Sequence, residues 1–559
     1  MTDELGAADL APPQAAVRPV RMSAHGIEWT DEYAWIRAEN WQEVLRDPSR
    51  LPADIRAHLM AENAYADAVL APTADLQMAL VREMRARIQE DDSEPPQVDG
   101  PYAYYSRYRP GGQHRIYCRR PRAGGGETVL IDGDARAEGK PFFRIASTRH
   151  SPDHAKFAWS GDDLGSELLT VLVRDVERGE DLPDRIARAT SDIVWMRDSS
   201  GYLYVEQDEN HRPFRVMLHR LGTRQDQDVE VFAEPDPAWF IGIESTRLKR
   251  AALITVHGHD ASETHVIDLD APALKPALVA PRKAGVFYDV MDHGDCFFLR
   301  TNAQARDFRI VVAPRGASRE ADWRDVVPHE AGHFIAAATL FKDFLVLLMR
   351  EDSRPRLVVH DLKSGAAHDI AFDEETYDLG FERVYEFDTK LIRFSYSSMA
   401  RPEEIYDYDC ESRARTLVKK QMTPPGFDPA AYVTRLLFAP AEDGERVPVS
   451  LLMKRDVRLD RSAPLLLYGY GAYGYPVEAS FSTNRLSLVD RGFVYAIAHV
   501  RGGTDKGWGW WEDGKLMRKP NTFRDFIAAA RFLIAEGYTA KGRIVAHGGS
   551  AGGLLVGAA

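Results

Sequence analysis

The 559-residue chain has only three cysteines, Cys118, Cys296 and Cys410, far apart in sequence. That scarcity excludes a disulfide framework and favours a reducing, cytoplasmic setting. Positive charge is also short. Lys and Arg number 71 against 85 Asp and Glu, a formal net charge of −14. Non-specific binding to a nucleic-acid backbone needs a basic face, so no nucleic-acid partner is expected. No apolar run approaches the ~20 residues that a spanning helix needs, so no membrane partner is expected either. The opening MTDELGAADLAPPQAAVRP lacks the apolar segment of a signal peptide and reads as a disordered leader.

What is present fits a globular protein. Hydrophobic residues make up 44% and charged residues 28%, and the length exceeds one ordinary core, so two or more domains are expected. Residues 27–88 read as mostly helical, with Leu59, Ala66, Val69 and Leu70 on one face. Ala71-Pro72-Thr73 interrupts the pattern, and Thr73 is placed to cap a second helix carrying Leu76, Leu80, Met84 and Ile88 at four-residue spacing. The acidic, proline-ended stretch Glu90–Pro96 reads as a linker.

From Tyr102 to Asp409 the chain turns to short strands rich in aromatic and β-branched residues. Strand cores recur at Tyr104, Phe157, Leu203, Leu253, Phe297, Phe344 and Ile392, at a spacing of roughly 44 to 53 residues. That period predicts a β-propeller of about seven units; an irregular pair of β-sandwiches is the alternative. From Thr416 the pattern changes again. Arg435–Phe438 and Val447–Met453 read as a hairpin about Asp443-Gly444, followed by strands at Leu465–Tyr468 and Phe493–Val500. A helix is expected over Thr522–Glu536, with Thr522 and Asp525 as a capping-box variant. Strands alternating with helices predict a doubly wound sheet, the α/β-hydrolase class.

The most informative stretch is Arg543–Ala559, RIVAHGGSAGGLLVGAA. It predicts a strand to His547, a glycine-crowded turn and a helix from Leu554. Gly548-Gly549-Ser550-Ala551-Gly552 matches G-x-S-x-G. A nucleophilic serine held clear of a sheet edge needs such a strained strand-to-helix turn, with small residues around it. The N–H of Ala551 can then face a developing oxyanion. A tight glycine turn with an inert serine is the bland alternative. Where this elbow is used, the acid and the histidine follow the serine in sequence. None of Asp, Glu or His follows Ser550. The hydrolase domain is therefore expected to be incomplete, the sequence to be a fragment of a longer one, and the chain on its own to be inactive.

Two further motifs are weaker. His329-Glu330-Ala331-Gly332-His333 matches H-E-x-x-H, but Pro328 precedes it and a strand pair follows, so an inter-blade loop is expected rather than a zinc site. Gly469-Tyr470-Gly471-Ala472-Tyr473-Gly474 contains a loose G-x-G-x-x-G, but Tyr475-Pro476 prevents a helix from opening there. It reads as the loop after an early strand, a place from which a tyrosine hydroxyl can serve an oxyanion. No cofactor or metal is expected.

Several clusters together resemble the prolyl oligopeptidase family of serine peptidases, and within it the oligopeptidase B (protease II) branch. They are Ala61-Glu62-Asn63-Ala64-Tyr65, Ile88–Asp92, Asp208–Pro213, Tyr468–Gly474, Arg491–Ala496, Arg501-Gly502-Gly503, Glu512–Lys515, Asn521-Thr522-Phe523 and Gly548–Gly553. Ala551 after the serine is similar to oligopeptidase B, where prolyl oligopeptidases proper usually carry Asn. The resemblance implies a helical segment over 1–80 packing on the hydrolase domain, a seven-bladed propeller over 81–415 and a peptidase domain over 416–559. It implies Ser550 as the acylating nucleophile, with the Ala551 N–H and the Tyr470 hydroxyl as the oxyanion hole. Glu478 falls on the first of two acids lining a substrate subsite; Ser480 stands at the second, which weakens the basic preference there. The implied activity is hydrolysis of short peptides after Lys or Arg through an acyl-enzyme. A prolyl- or dipeptidyl-type peptidase, or a non-catalytic propeller that binds a partner, are the alternatives.

Overall fold

The computed structural model describes residues 11–316, 319–424 and 426–559. The chain divides into one unit ending at Ile88 and a second running from Gln89 to Ala559.

In the first unit, part of the expected helix is a hairpin. Val20–Ala24 pairs antiparallel with Ile27–Asp31 across His25 (φ 53°) and Gly26 (φ 77°). Two left-handed residues make the primed type of turn that matches strand twist, and Ile27, Trp29 and Thr30 suit a strand. Helices follow at Ala53–Leu70 and Ala74–Ala86. Thr73 precedes the second but does not cap its amides; its hydroxyl donates to the Leu70 carbonyl (2.7 Å) and accepts from the Gln77 side chain (2.8 Å). Of the expected leader, residues 1–10 lie outside the described residues. Residues 11–19 have no regular secondary structure, and the Trp35 indole donates to the Ala16 carbonyl (2.7 Å).

The second unit begins with a propeller of antiparallel meanders. Five sheets have four strands each, covering 97–132, 240–278, 288–327, 334–370 and 378–420. The expectation of about seven separate units is corrected at the remaining stretch. Residues 144–233 form one seven-stranded sheet, so the cores at Phe157 and Leu203 share a sheet. The cause is the 16-residue strand Glu180–Trp195, which pairs with Leu169–Asp175 along one part and Gly201–Gln207 along another. Register shifts between Asp181 and Arg185 and between Ile186 and Ala189 let it bend without ending. The first and last sheets meet through side chains: Arg393 donates to the Pro96 carbonyl (2.9 Å), and Lys419 pairs with Asp92 (2.8 Å).

The hydrolase domain is a five-stranded mixed sheet. We label its strands β1 (Tyr432–Pro440), β2 (Arg446–Lys454), β3 (Leu465–Tyr468), β4 (Val494–Ala498) and β5 (Ile544–His547), in the spatial order β1-β2-β4-β3-β5. The first hairpin is antiparallel; β3 is parallel to both β4 and β5. Period-two alternation gives the sheet two apolar faces. Val449, Leu451, Leu465, Leu467 and Ala496 pack under α2 (Pro520–Ala535) and α3 (Ala551–Ala558), whereas Leu452, Tyr495 and Ile497 pack under α1 (Thr483–Val489). Leu465 and Leu467 are fully buried, each contributing roughly 2 kcal/mol. This fixes the strand ends from which the loops at 469–474 and 548–550 leave.

Thr522 and Asp525 are not a cap. Pro520 starts α2 earlier, and both side chains turn inward. Thr522 donates to the Arg501 carbonyl (2.6 Å), and Asp525 accepts from the Arg501 N–H (2.9 Å), Nε (2.9 Å) and Nη2 (2.6 Å). The following segment docks on the propeller. Trp508 packs edge-on against Phe287 and Phe308, its N–H donates to Asp307 (3.1 Å), and Glu512 pairs with Arg306 (2.9 Å).

Candidate active site

β5 runs into a turn whose tightness explains two of its glycines, Gly548 and Gly552. A Cβ on Gly548 would collide with the Gly552 carbonyl, and one on Gly552 would stand 2.7 Å from the Gly469 carbonyl. Ser550, at the apex, has φ 53° and ψ −121°. A non-glycine residue held there costs of order 1–3 kcal/mol and persists only when its surroundings impose it. The imposing contacts are visible: Gly552 N donates to Gly549 O (2.8 Å), Gly553 N to Ser550 O (2.9 Å), and Gly469 N to His547 O (3.2 Å). α3 therefore begins at Ala551, three residues before the Leu554 start expected from sequence, because Ser550 is itself the residue flanking the helix.

Ser550 is exposed, and its hydroxyl makes no hydrogen bond among the described residues. The Ala551 N–H sits in the first turn of α3, where amides lack an intrahelical acceptor. The loop after β3 lies against the elbow. The Tyr470 ring is 3.6 Å from the Cβ position of Gly552 and meets Tyr475 edge-on at 5.6 Å. Left-handed Gly471 (φ 68°) and Gly474 (φ 68°) turn this loop, and Lys519 donates to the Gly471 carbonyl. It opens no helix, so the glycine fingerprint has no dinucleotide geometry. The segment 328–333 is likewise a loop, so His329 and His333 do not share a helical face; His333 sits 3.5 Å from Glu330.

Glu478 lies elsewhere. It lines a cavity of about 400 Å³ with Ser480 and Phe481 on the hydrolase side and Asp92, Asp378, Ser395, Glu403 and Lys419 on the propeller side. Ser550 and Tyr470 are not among its lining residues. Burial, followed by the Glu478 charge, pushes the Asp378 carboxyl up to about 7, and its Oδ1 is buried without a partner. The Glu478 charge, followed by burial, also raises the Tyr475 phenol. Asp378 and Glu403 were missed from the sequence; they sit in ordinary strand-edge contexts with no motif, and only the domain arrangement brings them to Glu478.

The comparisons with known proteins fit this architecture. The model of the prolyl oligopeptidase N-terminal beta-propeller domain matches residues 12–421, and that of the prolyl oligopeptidase family matches 479–559. Dipeptidyl aminopeptidase BI of Pseudoxanthomonas mexicana is 37% identical, over 99% of this chain and 78% of its own length. Protease 2 of Moraxella lacunata is 29% identical, over 96% and 76%. Oligopeptidase B from Leishmania major superposes with a TM-score of 0.91 at 30% identity, covering 98% of this chain and 80% of the other. No helix among the described residues is long and apolar enough to cross a membrane. A propeller followed by a hydrolase sheet with a strained serine elbow, matched along nearly its whole length, places this chain in the prolyl oligopeptidase family of serine peptidases.

Proposed function

We propose that this chain carries the acylating part of an oligopeptidase site. Ser550 attacks the peptide carbonyl, and the Ala551 N–H and Tyr470 hydroxyl receive the oxyanion. Glu478 receives a basic group in the subsite next to the primary pocket, and the substrates are short peptides cleaved after Lys or Arg. The observation that carries the reading is the backbone of Ser550, held at φ 53° and ψ −121° between β5 and α3. Nucleophile elbows require that strain, and an inert turn would relax it with glycine. Ser550 would acylate with a histidine as its general base. The three free cysteines, two of them buried, fit the reducing compartment expected from sequence.

The test uses the native protein from its source with a fluorophosphonate probe and chromogenic peptides. One label on Ser550, lost in Ser550→Ala, together with cleavage after Arg in preference to Pro, is the expected result. Absence of labelling refutes the nucleophile; cleavage after Pro alone refutes the basic preference. A second reading, release of dipeptides from a free amino terminus, is favoured by the similarity to a protein named dipeptidyl aminopeptidase. Loss of cleavage on acetylating the substrate's amino terminus would select it.

A further inference from the structure

A second serine, histidine and aspartate are hydrogen bonded in series, away from the elbow. Ser450 on β2 contacts His499 Nε2 (2.8 Å), and His499 Nδ1 contacts Asp505 Oδ1 (2.9 Å). The chain extends at both ends. Thr376, in the propeller just before the strand Asp378–Phe381, contacts the Ser450 hydroxyl (2.9 Å), and Asp505 Oδ1 accepts from the Val477 N–H (3.2 Å). All four side chains are at most 5% exposed: Thr376 4%, Ser450 1%, His499 3% and Asp505 2%. A nucleophile needs access, and Ser450 has none, so this is no second active site.

Its ends indicate what it does. One end is two residues from Asp378 and belongs to the propeller; the other is the residue before Glu478 and belongs to the hydrolase domain. Asp378 and Glu478 line the same cavity. A second tie reinforces the first: the Ser353 N–H, on a propeller turn, donates to the Asp505 carbonyl (3.0 Å). The histidine's backbone is held from two more directions, its main-chain N–H donating to the Pro448 carbonyl (2.9 Å) and its main-chain carbonyl accepting from the Trp510 indole (3.0 Å). The Ser450 hydroxyl bridges two partners, and the Thr376 hydroxyl and each His499 ring nitrogen have one, so breaking one link leaves buried polar atoms unpaired.

We propose that Thr376, Ser450, His499 and Asp505 form a positioning relay that sets Asp378 of one domain and Glu478 of the other against a common cavity, so that the anionic pair receiving a substrate ammonium or guanidinium group is assembled by domain docking. The cation's source, a Lys or Arg side chain or the substrate's α-amino group, is left to the test, and the proposal rests on the role given to Glu478 above. It makes the four relay residues positioning residues. With Ser480 where a second acid would stand, the relay would supply that acid from the propeller as Asp378.

The experiment uses the full chain and three peptide probes: acetyl-Arg-Arg-amide, Ala-Ala-amide with a free amino terminus, and acetyl-Ala-Ala-amide. Binding is read by calorimetry, and amide exchange in 475–482 by mass spectrometry. Thr376→Val keeps the shape and removes the hydroxyl; Thr376→Ser restores it. We expect Thr376→Val and Ser450→Ala to weaken one or both cationic probes by roughly fivefold, to leave the neutral probe unchanged and to speed exchange in 475–482. Thr376→Ser behaves as wild type. In a Glu478→Gln background Thr376→Val adds no further loss, because the relay acts through Glu478. The weakened probe identifies the source of the cation. Unchanged exchange and binding in Thr376→Val, or equal weakening of all three probes, overturns the proposal. If the wild type binds neither cationic probe, the role of Glu478 falls, and exchange in 475–482 alone then upholds or overturns the relay.

Discussion

Replacing Asp99 by Asn should remove a stabilisation that depends on pH in a calculable way. Asp99 lies in the first propeller sheet and is 4% exposed. Its Oδ2 accepts from His150 Nε2 (2.6 Å), and its Oδ1 pairs with Lys249. Burial opposes its ionisation, but the His150 hydrogen bond and the Lys249 ammonium prevail and lower the carboxyl from 3.8 to about 2. A lowered acid stabilises the fold above its unfolded value and loses that contribution as pH falls through the folded one. The shift corresponds to about 2–3 kcal/mol at pH 7, falling to about half by pH 3 and nearly gone by pH 2. Lys249 is exposed enough to rehydrate when its partner is lost, so most of the effect belongs to Asp99. The assay is urea unfolding of wild type and Asp99→Asn, followed by tryptophan fluorescence, at pH 7 and pH 3. A gap of equal size at both pH values would mean that packing carries it, and no gap at either would mean that the cluster contributes nothing.

Three further outcomes follow from the site. Gly552→Ala drives a methyl to 2.7 Å from a backbone carbonyl, so labelling of Ser550 by fluorophosphonate in the native protein should fall at least tenfold, with an overpacking cost of about 1–3 kcal/mol by thermal unfolding. Asp525→Ala strips Arg501 of three hydrogen bonds and leaves Asp443 as its carboxylate partner, and should cost about 1.5–3 kcal/mol in urea unfolding. Asp378 faces Glu478, Glu403 and Arg350, in a cavity that also holds Asp92 and Lys419, and its carboxyl is raised to about 7. Affinity for acetyl-Arg-Arg-amide should therefore climb as pH rises through 7 and Asp378 gains charge, and Asp378→Asn should flatten that rise in calorimetric titrations.

The legible parts of this protein were those written in local chemistry. The Gly548–Gly552 turn announced itself because the residues two before and two after the strained serine have no room for a side chain. The repeated apolar cores announced blades because each must bury the same kind of strand. What stayed hidden depends on distance along the chain. Thr522 and Asp525 have the spacing of a cap, and nothing local says that Arg501 takes them instead. His25-Gly26 turns a hairpin inside a stretch with helical neighbours. Asp378 and Glu478 lie a hundred residues apart, and neither sits in a pattern that points to the other.

The uninterrupted strand Glu180–Trp195 has a bearing on how the molecule comes apart. A four-stranded blade can open alone, giving up contacts with its two neighbours. Two sheet segments here share one strand, its Glu180–Ala189 part paired on one side and its Ala189–Trp195 part on the other, so opening either segment pulls on a strand that the other still holds. Residues 144–233 should therefore behave as one cooperative block in native-state hydrogen exchange, opening with a single free energy, while the four-stranded sheets open individually. Under protease or mechanical load, the ring would yield first at its smaller members and last at this doubled one.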